Sequence, residues 1–280
     1  MGLTMKKLTV LIFATVLVSC APSAENTKSD RSEGLVFPKP KVSITRNMAV
    51  TEISGIKPTK KNGIWTMKVR PEYCNDKRYG DGRGESDCTN GNLRSQIQGI
   101  PIKPEQTVEY SFEINIPKNF SYRESLNYRP YGSIEVAKWQ HVRAIKNHLY
   151  ELRLSPNSGV LFDGKTCIKP SEYGEWAKVV FQVNWTAEDN GFLKVTCNER
   201  QIVSRTGQTL VPEYCGSETK PQCKPAMLQS SNPINWYLGI LFYGFGPDWR
   251  DYGRQSPFLP FQGKELSIQT RNISVKRTTY

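Results

Sequence analysis

The chain has 280 residues and a formal net charge of +12, from 38 Lys and Arg against 26 Asp and Glu. This length allows one large domain with its own core or two small ones, and because the composition does not change midway we expect one. The basic excess favours an acidic partner. Only two histidines and the absence of a Cys-x-x-Cys pair argue against zinc, and we expect no metal and no cofactor.

The first 19 residues have the pattern of a secretory signal peptide. Two lysines precede an apolar run, Leu8–Val18, and the small residue Ser19 follows it. The run is too short to cross the bilayer's hydrocarbon core, about 30 Å thick, as a helix. The segment Leu17–Cys20 resembles the lipobox of bacterial lipoproteins, which implies lipidation of Cys20 with palmitate. The alternative is an ordinary signal peptide whose cleavage site lies near a cysteine.

The domain organisation follows from this reading. We expect residues 1–19 to be a lipoprotein signal peptide, residues 20–34 a flexible tether, since they are polar and lack aromatics, and residues 35–280 the folded domain. The lipobox resemblance implies a lipid-anchored protein of the bacterial cell envelope. Ala21 after the cysteine favours the outer membrane, on its periplasmic or its surface face.

An anionic polysaccharide is the partner that the basic charge favours most. Export disfavours nucleic acid, and the absence of a basic amphipathic helix disfavours a lipid surface, so we expect the membrane to be contacted through the N-terminal lipid only. The alternative is a basic, solvated surface that binds nothing. We expect the protein to be a monomer.

Alternating apolar residues predict short β-strands. Every second residue of Val108–Pro117 is apolar, which predicts a strand with one buried face. Trp176–Trp185 alternates in the same way, and the Asn-Gly pair that ends Ala187–Gly191 predicts a hairpin turn. Phe192–Gly207 then supplies the return strands, with a polar turn at Asn198–Arg200.

The last strand signal is Glu265–Thr278. Leu126–Leu154 is the least readable segment, and there we expect one short helix. Many strands, little helix and one domain predict an all-β protein, a jelly-roll sandwich of two antiparallel sheets packed face to face.

Six cysteines remain when Cys20 is set aside, and an even number in an exported protein indicates disulfides. Because short loops close most easily, the favoured pairs are Cys74–Cys88 and Cys215–Cys223, which leaves Cys167–Cys197.

The strand–turn–strand unit Phe181–Val203 resembles a hairpin of concanavalin-like jelly rolls, in particular that of polysaccharide lyases of the heparin lyase I-like and alginate lyase-like groups. Three further segments resemble strands of these lyases and occur in the same order. Asp87–Ile97 resembles the "R-S-E-L" strand, Trp139–His141 the "Q-x-H" strand, and Asn235–Tyr243 the "Y-F-K-x-G-x-Y" strand.

The resemblance implies cleavage beside a uronic acid by β-elimination, with no cofactor. The C5 proton is weakly acidic while the neighbouring carboxylate is charged, so hydrogen-bonding or cationic side chains must stabilise the enolate-like intermediate. A base removes that proton, and an acid protonates the departing O4 oxygen.

The resemblance also assigns these roles to residues of this chain. The side chains implied to hold the substrate carboxylate are Arg94, Gln96 and Gln140. The base or neutralising group is His141, and the second acid or base is Tyr237 or Tyr243, with a pKa lowered by cationic neighbours. Further substrate contacts are expected from Asn92, Asn235 and Trp249.

A purely structural role remains the alternative for each of these residues. Arg94 could be an ion-paired surface residue, and Tyr237 and Tyr243 could be wall or core aromatics. Gln140 and His141 are adjacent on a strand and point to opposite faces. We expect at most one of them in the groove, and we prefer His141.

The chain departs from the lyase pattern at several positions. In the late strand, Tyr237 stands at the lysine position and Leu241 at the last tyrosine position, so the catalytic tyrosine is kept only if the register has shifted or Tyr237 has taken its role. Gln96 stands where a glutamate usually orients the arginine, and Asn235 stands at the first tyrosine position. A glycan-binding lipoprotein without catalysis is therefore the alternative function, and an envelope structural protein is a third. No E-x-D-x-x-E strand is present, which disfavours retaining glycoside hydrolysis.

Overall fold

The computed structural model describes residues 41–45, 48–70, 73–78, 86–89, 91–122, 134–141, 148–210, 233–242 and 265–279. Contacts divide the chain into the units Met1–Pro38 and Lys39–Tyr280, and every described residue belongs to the second. Within these ranges, no helix has the length and apolarity needed to cross a membrane.

The described chain is built from short strands and one 3-10 turn at Pro170–Glu172. The strands are β1 (Lys41–Thr45), β2 (Met48–Val50), β3 (Thr59–Lys61), β4 (Ile64–Val69), β5 (Leu93–Gly99), β6 (Gln106–Asn115), β7 (Ile134–His141), β8 (His148–Ser155), β9 (Gly159–Phe162), β10 (Lys165–Ile168), β11 (Trp176–Trp185), β12 (Phe192–Cys197), β13 (Arg200–Thr206), β14 (Ile234–Phe242) and β15 (Leu266–Thr279).

These strands form two antiparallel sheets. The eight-stranded sheet has the order β13-β12-β11-β6-β15-β4-β3, with β1 paired to β15. The seven-stranded sheet has the order β10-β9-β8-β7-β14-β5-β2. The all-β sandwich predicted from the sequence is confirmed, and so are the strands predicted at β6, β11, β12, β13 and β15.

The core lies between the sheets because the strands alternate as the sequence predicts. From Val108 on β6 and from Ala177 on β11, every second residue is buried, and the residues between them are partly or fully exposed. The Trp139 ring of β7 stacks on the Phe181 ring of β11, with centroids 3.9 Å apart. The buried Trp185 indole donates a hydrogen bond to the Tyr110 hydroxyl (3.2 Å). Aromatic packing therefore joins the two sheets.

The helix expected in Leu126–Leu154 is wrong for the described part of that segment, which forms β7 and β8. The β7 sequence Ile-Glu-Val-Ala-Lys-Trp-Gln-His hides its period because a bulge falls between Glu135 and Ala137. Seven of its eight residues are also buried, polar ones included. A bulge and a second covered face together remove the apolar–polar alternation that marks a half-buried strand.

Two of the predicted disulfides are confirmed, Cys74–Cys88 and Cys167–Cys197. Cys215 and Cys223 lie outside the described residues, and so do Cys20, Tyr243 and Trp249.

Candidate active site on the seven-stranded sheet

One face of the seven-stranded sheet packs on the core, and the other carries polar side chains. Trp236 of β14 lies opposite Trp139 of β7, and both are buried in the core. Tyr237 lies opposite Lys138 of β7 and Gln98 of β5. Because cross-strand partners share a face and successive residues alternate, this second set lies on the side away from the core.

We call this side the polar face. Strand pairing places on it Arg94, Gln96, Gln98, Glu135, Lys138, Gln140, Glu151, Arg153, Asn235 and Tyr237.

Arg94 is held by a carboxylate that the sequence did not reveal. Its Nε donates to Asp87 Oδ2 (2.8 Å) and its Nη2 to Asp87 Oδ1 (2.9 Å). Its Nη1 donates to Gln96 Oε1 (3.4 Å). Gln96 stands where the lyase pattern has the orienting glutamate, and here Asp87 supplies a carboxylate from the loop before β5 instead.

Hydrogen bonds from a neighbouring segment hold the backbone of the strand that carries Arg94 and Gln96. The Gln96 carbonyl accepts hydrogen bonds from Thr51 N–H (3.0 Å) and Thr51 Oγ1 (3.1 Å), and Ser54 Oγ accepts one from Gln96 N–H (3.1 Å). Asn92, the buried residue before β5, donates its N–H to the Asp87 carbonyl (2.7 Å). The strand that carries the arginine is therefore fixed on one side by residues 51–54.

Tyr237 lies among groups that contact its hydroxyl. Asn235 Nδ2 donates to the Tyr237 hydroxyl (3.2 Å), and the Gln140 side chain also hydrogen-bonds the phenol. Burial raises the pKa of Tyr237, while the charge of Arg94 and the two amide hydrogen bonds lower it by less. The expectation of a lowered pKa is wrong for Tyr237, because the cost of burying a phenolate exceeds the benefit of the cation.

Lys138 is a buried lysine that the sequence interpretation missed. Its Nζ lies 3.4 Å from Glu135 Oε2, and both side chains are almost completely buried. Burial lowers the pKa of Lys138, the charge of Arg94 lowers it further, and Glu135 and Glu151 oppose both effects. A lysine between the apolar residues Ala137 and Trp139, two residues from Gln140, was the available signal.

His141 does not belong to the polar face. It lies opposite the buried Ile234 and has no exposed surface. Strand alternation puts His141 on the side of Trp139 and leaves Gln140 on the side of Tyr237. The preference for His141 over Gln140 as the groove residue is therefore wrong.

Two buried amide atoms on this face have no hydrogen-bond partner among the described residues. They are Gln96 Nε2, a donor, and Asn235 Oδ1, an acceptor. Buried amide groups are rarely left unsatisfied. One free donor and one free acceptor beside Arg94 and Tyr237 can bind the carboxylate and hydroxyl groups of a sugar.

The three cations of the polar face are each paired with a carboxylate. The pairs are Arg94 with Asp87, Lys138 with Glu135, and Arg153 with Glu151. The described part of this face is thus close to electrically neutral, although the chain as a whole is basic. Among the described residues, one set has metal-ligand spacing, Cys74, Asp76 and Cys88, and its two sulfurs are joined in a disulfide.

No family model matches this chain, and no curated protein does. Solved structures of similar fold include the endo-β-1,4-glucuronan lyase from the fungus Trichoderma reesei, 12% identical with a TM-score of 0.47 over 89% of this chain and 92% of that chain. The alginate lyase AlyC3 is 7% identical, with a TM-score of 0.44 over 77% and 75% of the two chains.

A third similar structure is the catalytic domain of the glycoside hydrolase family 131 protein from Coprinopsis cinerea. It is 10% identical, with a TM-score of 0.39 over 76% of this chain and 69% of that chain. All three TM-scores are below 0.5, and all three identities are 12% or lower.

Proposed function

We propose that the protein is a polysaccharide lyase that cleaves an anionic, uronate-containing polysaccharide by β-elimination. The observation that supports this most is the convergence of Arg94, Lys138 and Tyr237 on the polar face. The charge of Arg94 affects the pKa of both other residues, so the three groups lie within electrostatic reach of one another. Their strands, β5, β7 and β14, are neighbours in the seven-stranded sheet.

The opposite pKa changes assign the proton transfers. Lys138 loses its proton more easily than an ordinary lysine, so its neutral amine is available to remove the C5 proton. Tyr237 keeps its proton to higher pH than an ordinary tyrosine, so its hydroxyl can protonate the departing O4 oxygen. Two titrating groups whose pKa values are moved apart suit a base and an acid.

The remaining polar groups have electrostatic roles. Arg94 neutralises the substrate carboxylate, and the Gln96 and Gln140 amides donate to it, which stabilises the charge that develops as the C5 proton leaves. Asn235 aligns the Tyr237 hydroxyl through its amide hydrogen bond. Asn92 and Trp249 remain proposed substrate contacts, and Tyr243 remains the proposed alternative to Tyr237 as the acid or base. His141 has no role in this scheme because it lies on the core face.

The experiment is a turnover assay of the purified protein on alginate, glucuronan and heparin. A lyase produces an unsaturated sugar whose ultraviolet absorbance grows with time. We expect growth on at least one of these polymers. Absence of absorbance on all three, at protein concentrations that bind the polymers, would contradict the proposal.

A glycan-binding protein without catalysis is the second candidate, and the neutralised cations of the polar face favour it. Each cation already has a carboxylate partner, so a substrate carboxylate must compete with Asp87, Glu135 or Glu151. Binding measured by calorimetry without any unsaturated product would select this function. Absence of binding would select an envelope structural protein.

We also propose that Cys20 carries the lipid anchor in the bacterial outer membrane. Expression with radiolabelled palmitate should label the wild-type protein and leave Cys20→Ala unlabelled. Cell fractionation should then find the wild type in the outer membrane and the variant released from it.

A further inference from the structure

Asp87 is adjacent in sequence to a disulfide-bonded cysteine. It is the residue before Cys88, whose sulfur is joined to Cys74. The Asp87 side chain is 1% exposed, and both its oxygens accept hydrogen bonds from Arg94. The orienting carboxylate is therefore attached to the chain directly beside a covalent crosslink.

The other end of this crosslink is fixed to the segment that precedes β3. The Asn75 side chain donates to the carbonyls of Glu52 (3.3 Å) and Ser54 (3.4 Å), and the Asn75 carbonyl accepts from Cys88 N–H (3.3 Å). Gly55 lies so close to residues 73–75 that an added Cβ would be 2.4 Å from the Tyr73 carbonyl oxygen. Residues 73–75 therefore have little room to move.

Residues 51–55 also hold the backbone of β5, the strand that carries Arg94. Gly55 N–H donates to the Arg94 carbonyl (2.9 Å), and Thr51 N–H donates to the Gln96 carbonyl (3.0 Å). Arg94 is thus held twice, at its backbone by residues 51–55 and at its guanidinium by Asp87. The Cys74–Cys88 disulfide links these two supports.

We propose that Asp87 is a positioning residue for Arg94, and that the Cys74–Cys88 disulfide holds Asp87 in the position where it can orient the guanidinium. The catalytic part of this inference rests on the proposed lyase function, whereas the geometric part does not. A carboxylate that accepts from Nε and Nη2 together fixes the guanidinium plane. The Nη1 edge is then directed towards Gln96 and the polar face.

The substitution Asp87→Asn tests this geometry with almost no change in volume. An asparagine offers one acceptor oxygen, and its amide N–H groups would meet the donors of Arg94, so the paired hydrogen bonds cannot form. We expect the NMR signal of the Arg94 Nε–H, assigned with Arg94→Lys, to shift and to exchange faster with solvent. An unchanged signal in Asp87→Asn would overturn the inference.

The matched control is Glu113→Gln on the eight-stranded sheet, where Arg271 Nε donates to Glu113 Oε2 (2.7 Å). This variant should change the Arg271 signal and leave the Arg94 signal in place. If both variants alter Arg94 equally, the effect is general and the inference fails.

The disulfide is tested by comparing two double variants. Cys74→Ser/Cys88→Ser should alter the Arg94 signal as Asp87→Asn does, whereas Cys167→Ser/Cys197→Ser should leave it unchanged. Equal effects of the two pairs, or none, would refute the role of Cys74–Cys88. If the first variant does not fold, reduction of Cys74–Cys88 in the folded wild type replaces it, and an Arg94 signal unchanged by that reduction refutes the role of the disulfide.

Turnover separates this inference from the proposed function. If the wild type is a lyase, we expect Asp87→Asn to lose about 10²-fold in kcat, because a misplaced catalytic group costs about that much, and Glu113→Gln to lose none. If the wild type shows no turnover, the proposed function has failed and the NMR comparison still decides the positioning of Arg94.

Discussion

Lys138 and Tyr237 are neighbours across β7 and β14, and both are largely buried, yet burial moves their pKa values in opposite directions. The reason is the charge of the ionised form. A lysine is charged when protonated and a tyrosine when deprotonated, so removal from water favours neutral lysine and neutral tyrosine. One buried location thus provides a base and an acid together.

Tyr237→Phe should reduce kcat by about 10²–10⁴-fold, since it removes one proton transfer from the reaction. The fold should survive because the ring remains. Tyr150→Phe is the control, because the Tyr150 pKa is also raised by burial but its hydroxyl donates to the Thr209 carbonyl (3.0 Å). A Tyr237→Phe enzyme with wild-type kcat, measured by product absorbance, would rule out the acid role.

The pH dependence of kcat/KM should reflect the lowered pKa of Lys138 and the raised pKa of Tyr237. Activity should rise with pH as Lys138 loses its proton, at a pKa below the ordinary value of 10.5. It should fall when Tyr237 ionises, above the ordinary value of 10.0. Lys138→Met should abolish the rise together with turnover, whereas Lys68→Met, which breaks an ion pair with Glu265 on the other sheet, should not. A rate that falls as pH increases from neutral would contradict this assignment.

Along β14, the pairing with β7 becomes irregular just after Tyr237. The pairing of β14 with β7 shifts between Leu238 and Leu241, and Gly239 in this interval has φ +142°. An added Cβ at Gly239 would lie 2.3 Å from the Ser95 carbonyl oxygen and 2.8 Å from Gln96 Cα. Only glycine allows β14 to approach the strand of Arg94 this closely.

Gly239→Ala should therefore lower the free energy of unfolding by about 2–4 kcal/mol, from backbone strain together with overpacking. Gly164→Ala is the comparison, because Gly164 also has positive φ but an added Cβ there would have no atom within 4 Å. It should cost about 1–2 kcal/mol, the strain alone. Urea unfolding of the two variants measures the difference, and equal losses would mean that the close approach to Ser95 is not tight.

Much of the fold could be predicted from the sequence, because alternation along Val108–Pro117 and Trp176–Trp185 reports directly which residues are buried. The candidate site was harder to predict from the sequence than the fold. Because side chains alternate along a strand, Gln140 and His141 must face opposite sides of the sheet. The alternation does not say which side packs on the core, and the pairing of β7 with β14 decides this. Asp87 was missed because its bond to Arg94 spans a loop, and local pattern carries no information on such contacts.

At the scale of the whole molecule, the disulfides occupy different parts of the sandwich. Cys167–Cys197 joins β10 of the seven-stranded sheet to β12 of the eight-stranded sheet, and both cysteines are completely buried. Cys74–Cys88 instead joins the segment of Asp87 to residues 73–75, which contact residues 52–55 beside the strand of Arg94. One crosslink therefore holds the sheets together, and the other holds the candidate site.

Cys167→Ser/Cys197→Ser should lower the free energy of unfolding by about 3–4 kcal/mol, the value for closing a loop of this length in the unfolded chain. Denaturant unfolding of the folded variant and the wild type gives this difference. A variant as stable as the wild type would show that the crosslink does not constrain the unfolded chain.

The central claim is that the polar face removes the C5 proton of a uronate. Mass spectrometry of the oligosaccharides released by the wild-type protein tests it most directly, because elimination and hydrolysis leave different chain ends. The account predicts new non-reducing ends that lack one water and carry a double bond between C4 and C5. Saturated ends, or polymer that stays intact while bound, would contradict it.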